Sequence, residues 1–380
     1  MTRDTGSPAD SASRRKFIAT TGAAGAALLA GCSSGGGNDS TTSPTDEPNT
    51  SGGSEPTTTQ SSNQAAEVTS LEAGGSSTVY PIMSKAAAYW RANNPASDKE
   101  YWPHAEYGIE TEKAFAEYWG GLYGFTSDAG GDPPFSLSVG LSHSGVGIEK
   151  VRNGVVDIGD SSAPVDAEKP DWPQSVKDKF VNHVIGVDGQ PIVVSSEIKK
   201  AGVTEINGQE LKDLYKGRIS NWQELGGPDK KIQVLGRAKD SGTRTAFVSN
   251  VFGDPNADTV VANRFGQNQR LAQAIKQSDN AISYLALAFL DTTGVEPISL
   301  TWKGTTYTYG DSKNGLGAKE YPLSRDLHAY TFEGTSKAEA AIINMVLSDF
   351  GQDKFVAANN YFRLPDDRQQ AQREKLPAQV

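Results

Sequence analysis

Gly236-Arg237-Ala238-Lys239-Asp240-Ser241-Gly242-Thr243-Arg244 stands between two segments of different character. Before it, Ile232-Gln233-Val234-Leu235 has the apolar content of a strand, and after it Thr245-Ala246-Phe247-Val248-Ser249-Asn250-Val251-Phe252 has the spacing of a short helix. A strand, a tight Ser-Gly-Thr turn and a helix start put free backbone N–H groups, two hydroxyls and the positive end of a helix dipole into one small volume. That is the outline of an anion site. Arg237, just ahead of the turn, adds a planar cation able to grip two oxygens at once. The same residues also suit a plainer role, with Ser241 capping the helix and Arg237 a surface charge.

The grammar recurs twice. Gly74-Gly75-Ser76-Ser77-Thr78-Val79 opens a helical stretch, Tyr80 to Ala92, with Pro81 in its first turn, where a missing N–H costs little. Ser142-His143-Ser144-Gly145-Val146-Gly147 follows the alternating Phe135-Ser136-Leu137-Ser138-Val139 and precedes a short helical stretch, Ile148 to Asn153. Three such turns, far apart along the chain, predict helix ends that converge on one anion. Val155-Val156-Asp157-Ile158-Gly159-Asp160-Ser161-Ser162-Ala163-Pro164 reads as a buried strand running into a polar loop. Polar residues past a strand's carboxyl end sit where open α/β sheets bind ligands, which adds Asp160, Ser161 and Ser162 as candidates; a loop closing its own turn is the alternative.

The amino terminus reads as an address. Ser13-Arg14-Arg15-Lys16-Phe17-Ile18 is a twin-arginine pattern ahead of the Ala- and Gly-rich run Ala19 to Ala30, which is short for a membrane span. Leu29-Ala30-Gly31-Cys32 matches a lipobox, so residues 1–32 are expected to be a signal peptide whose cleavage leaves Cys32 to carry lipid. Cys32 is the sole cysteine, which excludes an intramolecular disulfide and any cysteine-based metal cluster. Residues 33–66, made of Ser, Thr, Gly, Pro, Asn and a few acids, have almost nothing to bury and read as a disordered tether. Random-coil scaling gives it a mean span of roughly 30 Å and a reach of roughly 110 Å.

From Glu67 onward the chain is long enough for two domains. Its 36 basic residues against 46 acidic ones give a net charge of −10, with no basic stripe, which argues against a nucleic-acid partner. An anion must then be held by local dipoles and hydrogen bonds against the global field. Further elements follow: a strand over Pro191 to Ser196, helices over Leu211 to Tyr215 and Leu271 to Ser278, a strand or helix start over Ala281 to Leu287, an extended crossing over Tyr321 to Thr331, and an amphipathic helix from Lys337 to Phe350. The aromatic segment Pro95 to Pro134 carries a helical spacing from Glu110 to Trp119 and is expected to be a local cover with its own small core, or else a face for a partner.

These motifs together resemble a known family. From about Glu67 to Pro365 the chain is similar to the phosphate-binding component of the Pst-type phosphate ABC importer, on Gly74-Gly75-Ser76-Ser77-Thr78-Val79, Ser144-Gly145-Val146-Gly147 with Asp157-Ile158-Gly159-Asp160-Ser161, Lys216-Gly217-Arg218-Ile219-Ser220-Asn221-Trp222, Gly236-Arg237 with Ser241-Gly242-Thr243-Arg244, and Tyr321-Pro322-Leu323-Ser324-Arg325. The resemblance implies a two-lobed α/β fold of the type II periplasmic-binding-protein kind. It places lobe I over 67–187 and 326–380, lobe II over 188–325, and crossings near Val187 to Pro191 and Pro322 to Asp326. It also implies phosphate held by the Thr78 hydroxyl, the Val79 N–H, Ser144, Ser162, Arg237, Ser241, Gly242 and Thr243. Cargo would pass to an ABC permease in the membrane, with no cofactor, no metal and no catalysis.

Two departures qualify this. Some members carry an aspartate before Ala-Pro in the second motif, where it accepts the proton of hydrogen phosphate and repels sulfate; this chain has Ser162 there, so either Asp160 or Asp240 supplies the acceptor or the family's alternative serine pattern suffices. The aromatic segment is also longer than the family leads one to expect. A receptor for sulfate or molybdate is therefore a competing reading. An extracellular phosphatase is a weaker one, because Gly140-Leu141-Ser142-His143-Ser144 lacks the closing glycine of a nucleophile elbow and none of the four histidines stands in a triad motif.

Overall fold

The computed structural model describes residues 68–127 and 131–380; the signal peptide expected over 1–32, Cys32 with it, and the tether over 33–66 lie outside the described residues. The chain is mixed α/β and builds two sheets. In the first, β1 (Ser70–Ser76) lies between β2 (Ser136–Ser142) and β3 (Ile158–Ser161), parallel to both. Beyond β3 come β4 (Phe180–Gly189) and β12 (Ser324–Phe332), giving the order β2-β1-β3-β12-β4 with β12 antiparallel to both neighbours.

The second sheet takes β5 (Ile192–Val194), β6 (Glu205–Asn207), β7 (Gln233–Arg237), β8 (Asn263–Phe265), β9 (Ala281–Tyr284), β10 (Glu296–Trp302) and β11 (Thr305–Tyr307). Its order is β11-β10-β5-β9-β7-β8, with β6 beside β10. The chain leaves the first sheet at the end of β4 and returns at the start of β12, where Ser324 pairs with Gly189 and Arg325 with Asp188. One long antiparallel pair therefore carries both passages between the sheets, the geometry of a hinge.

Local signals explain the elements nearest the cleft. The helix α1 (Tyr80–Ala92) has proline in its first turn and ends at Asn93 in the left-handed region (φ 40), whose N–H caps the Tyr89 carbonyl. Its Ile82, Met83, Ala86, Ala87 and Trp90 form one buried face, and the Trp90 indole donates to the Phe135 carbonyl at 2.7 Å. The helix α3 (Ser144–Arg152) lies almost on the backbone of β1 and β3: a side-chain carbon on Gly147 would stand 2.7 Å from the Asp160 carbonyl, and one on Gly75 (φ 145) 2.2 Å from the same oxygen. Only glycine fits at these two positions, which is the physical content of the second glycine in each motif, Gly75 and Gly147.

Three expectations need correction. The helix expected over Glu110 to Trp119 is α2 (Phe115–Gly121), because the polar residues ahead of Phe115 have no apolar face to bury. The aromatic segment has no core of its own: Trp102 and Phe115 are fully buried and pack against Phe350, Trp102 edge-on at 5.3 Å and Phe115 tilted at 5.4 Å, while Phe350 also meets Tyr89 of α1 at 6.0 Å. The segment thus extends the core of the first sheet. The helix expected from Lys337 to Phe350 runs Lys337–Leu347, begins with a Ser336/Glu339 capping box and is buried on nearly every face; Ser348 then starts a separate turn. It lies between the sheet and the aromatic segment, so past its first turn no solvent-facing side remains.

Candidate functional site

The three small-residue turns meet. Thr78 stands just ahead of α1, Ser144 opens α3, and Gly242 and Thr243 open the helix Gly242–Phe252, which follows β7 of the other sheet. The Thr78 and Thr243 hydroxyls lie 3.0 Å apart although 165 residues separate them. Ser162 joins from the loop after β3: its hydroxyl is 3.3 Å from that of Ser144 and accepts from Ser76 at 3.1 Å, while its N–H donates to the Ser144 hydroxyl at 3.1 Å. Gly242 presses on this pair so closely that a side-chain carbon there would lie 2.2 Å from Ser144 Oγ and 2.6 Å from Ser162 Oγ. Val79 is buried and caps the start of α1, its carbonyl accepting from Ile82 at 2.9 Å. Ser241 is buried beside Gly242 at the helix start, but its hydroxyl makes no capping bond, so the plain capping role does not apply to it.

Arg237 ends β7 and is buried, which excludes a surface charge. Its guanidinium spans the cleft, donating to Ser77 Oγ at 3.1 Å on the first sheet's side and to Thr243 Oγ1 at 3.0 Å on the second. The Phe265 and Gly266 carbonyls and Asn268 Oδ1 fix the rest of the fork. Every donor that is not turned to the cleft is thereby held, the preorganisation an anion clamp needs.

A second guanidinium arrives from the hinge. Arg325, on β12, donates from Nε at 2.9 Å and Nη2 at 2.7 Å to Asp188 Oδ2, its partner on β4. The side chains are only 4% and 0% exposed, so the pair is dehydrated, and Asp188 Oδ1 accepts the Leu287 N–H at 2.9 Å. The free face of Arg325 reaches Thr78 Oγ1, Thr243 Oγ1 and Ser162 Oγ, each at 3.2 Å. Two cations, one aspartate and a shell of hydroxyls therefore converge at the floor of the cleft. Asn268 completes it, its amide within 3.3 Å of Thr78 Oγ1.

Arg325, Asp188, Asn268 and Ser77 were not among the ligands expected from the sequence, although Ser77 and Arg325 stand inside quoted motifs. Asp188 had a signal, a lone acid inside the apolar strand Val184-Ile185-Gly186-Val187, since an acid is seldom fully buried without a partner. The two acids considered as proton acceptors do not join the hydroxyl cluster by any hydrogen bond among the described residues. Asp160 is buried with Oδ1 unpartnered, and Asp240 offers only its carbonyl, to the Gly145 N–H at 3.5 Å.

Burial dominates the electrostatics. It lowers the Arg237 pKa to about 9, helped by the nearby Arg325 charge, which still leaves Arg237 charged at neutral pH. Burial raises Asp188 while Arg325 and the Leu287 N–H pull it back, and it raises Asp160 well above the carboxylate range. His143, beside Ser144, is lowered by burial and then by Arg237. Fixed dipoles and two cations in a water-poor space are what holding an anion requires. Among the described residues no group of His, Cys, Asp or Glu could hold a metal ion, and no helix is long and apolar enough to cross a membrane.

Comparison with known proteins follows the same lines. The family model for a PBP superfamily domain matches residues 122–350. The phosphate-binding protein PstS of Bacillus subtilis (strain 168) is 29% identical over 236 residues, covering 62% of this chain and 73% of its own length. That of Staphylococcus aureus (strain MRSA252) is 24% identical over 249 residues, covering 64% of this chain and 74% of its own. A putative phosphate ABC transporter substrate-binding protein with bound phosphate, from Clostridium perfringens, superposes with a TM-score of 0.56 at 23% identity, over 78% of this chain and 100% of that one. At that identity the superposition speaks for the fold.

Proposed function

The chain belongs to the PBP superfamily, and on that premise we propose that it is an extracytoplasmic receptor that captures inorganic phosphate and delivers it to an ABC permease. Lobe I comprises 67–187 and 326–380, lobe II 188–325. Phosphate lies between them on the Thr78 hydroxyl, the Val79 N–H, Ser144 and Ser162 from one side and Arg237, Ser241, Gly242 and Thr243 from the other. Arg325 reaches it from the hinge. The observation that carries this reading is the meeting of Thr78, Ser144 and Thr243 under two buried guanidiniums supplied by both sheets.

Capture proceeds by closure. The open lobes each offer half of the donors, and the anion bridges them as the β4–β12 hinge shuts. Micromolar affinity needs about 8 kcal/mol net, which a handful of charge-assisted hydrogen bonds at about 1.5 to 3 kcal/mol each supply after ordering costs. Twin-arginine export and lipid on Cys32 hold the receptor at the cell surface, and the 33–66 tether lets it search for the permease. The protein binds without turnover: p-nitrophenyl phosphate is expected to remain unhydrolysed, and sustained release of p-nitrophenol contradicts this.

Sulfate is the competing guest for a specific reason: Ser162 accepts from Arg325 and Ser76, so no carboxylate stands in its place to repel a fully ionised anion. Titration calorimetry with phosphate and sulfate tests both readings. Phosphate is expected to bind with micromolar or tighter affinity and to exceed sulfate at neutral pH; tighter sulfate binding overturns the phosphate reading.

A further inference from the structure

Beside the hydroxyl cluster lies a polar cavity of about 270 Å³. One wall is Gly145 with the segment from Ala167 to Asp171, which follows β3; the other comes from the turn and helix after β7, through Lys239, Asp240, Arg244 and Thr245. Glu168 ends the short helix Val165–Glu168 and points its carboxyl into this seam. Its Oε2 lies 3.0 Å from where a side-chain carbon on Gly145 would stand, next to Ser144. Its Oε1 is enclosed and has no hydrogen-bond partner. The Thr245 side chain stands on the far wall, its hydroxyl donating to the Ser241 carbonyl at 3.4 Å.

We infer that Glu168 is a positioning residue for capture that closes over the cleft as a neutral acid, so that phosphate binding draws a proton into the protein. This rests on the proposed closure, because the enclosure of Glu168 exists only when the two walls meet. Two physical reasons lead to it. An ionised carboxylate with one oxygen enclosed and unpaired is costly, whereas the protonated form tolerates it. A negative charge over the α3 start also opposes the incoming anion at Ser144.

The surrounding charges do not cancel the effect. The cations facing the seam are Lys169, Lys239, Arg244 and, from β12, Arg325; the acids are Asp171, Asp240 and, past the helix, Asp258. Lys169 is already engaged by Glu149. Burial is the largest influence and raises the Glu168 pKa to about 7; the nearby Thr245 hydroxyl, Lys169 and Arg325 lower it, and Asp240 raises it. Set against the ordinary value of 4.5, the raised value means proton uptake on closure between about pH 4.5 and 7, and a penalty on closure that grows as pH rises through that window.

The test compares the unmutated protein with Glu168→Gln, of equal shape and no charge, by calorimetry with inorganic phosphate. Titration of phosphate itself cancels in the ratio of the two affinities. Near pH 5 the two proteins are expected to bind within a few-fold of each other, and at pH 8 the Gln variant at least about tenfold more tightly. At pH 6, titrations in two buffers of different ionisation enthalpy should show the unmutated protein taking up an extra half proton or more. Thr245→Val is expected to enlarge that uptake, since it removes a group that favours the ionised form. An affinity ratio independent of pH, with equal proton uptake, overturns the inference while leaving phosphate capture intact. Absence of phosphate binding in the unmutated protein overturns both.

Discussion

Gly242→Ala adds one carbon at the contact between the two halves of the cleft and nowhere else. Gly242 is the first residue of its helix and is not among the glycines at positive φ, so alanine is unstrained there and the helix itself should gain slightly. The new carbon would stand 2.2 Å from Ser144 Oγ and 2.8 Å from Ser144 Cβ, against an ordinary separation of about 3.5 Å. Turning the Ser144 hydroxyl aside does not relieve the second contact, and it gives up the bonds to Ser162 N–H at 3.1 Å and Ser162 Oγ at 3.3 Å. Overpacking of this kind costs about 1 to 3 kcal/mol, and a displaced hydrogen bond about 1 kcal/mol more. The lobes can avoid the whole cost by staying open. Phosphate affinity should therefore fall by roughly 30- to 700-fold, with the thermal unfolding midpoint of the ligand-free protein unchanged or slightly raised. Calorimetry of phosphate binding and thermal melts of the same sample measure the two quantities. Affinity within threefold of the unmutated protein would refute the idea that the Gly242–Ser144 approach accompanies capture.

Arg237→Ala removes the guanidinium that joins Ser77 to Thr243 and should weaken phosphate binding roughly a hundredfold or more while the circular dichroism spectrum is retained; unchanged affinity removes Arg237 from the site. Asp188→Asn leaves the Arg325 charge buried without its counterion and should destabilise the protein by about 3 to 5 kcal/mol in urea unfolding, with a change below about 1 kcal/mol counting against a buried hinge pair. Burial holds the His328 pKa down to about 4, so the stability it contributes is present above the unfolded value of 6.5 and is lost as pH falls from there toward 4. Urea midpoints of His328→Gln should then fall less steeply over that range than those of the unmutated protein, and parallel curves contradict this. Phe350→Ala empties the centre of the aromatic cluster and should cost about 3 to 5 kcal/mol, whereas a small cost would mean that the segment from Pro95 to Pro134 is a loose cover.

Much of the cleft could be read from the chain because its signals are local. A small-residue turn at a helix start is written in five or six adjacent letters, and Thr78, Ser144, Gly242 and Thr243 all come from such turns. Helix α1 was legible to its last residue, since Pro81 and the periodic apolar face mark it. The hinge pair was only half legible: Arg325 stands in a quoted motif and both residues fall within the expected crossings, but the ion pair joins single letters 137 positions apart and emerges only when β4 and β12 pair. Asn268 was hidden similarly, as one amide at the start of an ordinary-looking helix. The aromatic segment misled because its many rings suggest a self-contained core, while the residue that organises them, Phe350, lies far along the sequence.

A crystal structure of the protein grown with phosphate puts the caging of an anion by remote turns to the hardest trial. One phosphate should lie within hydrogen-bond distance of the Thr78 hydroxyl, Ser144, Arg237 and Thr243, with both sheets closed around it. Phosphate bound elsewhere, or an occupied cleft in which Thr78 and Ser144 stand away from the ion, would contradict that cage.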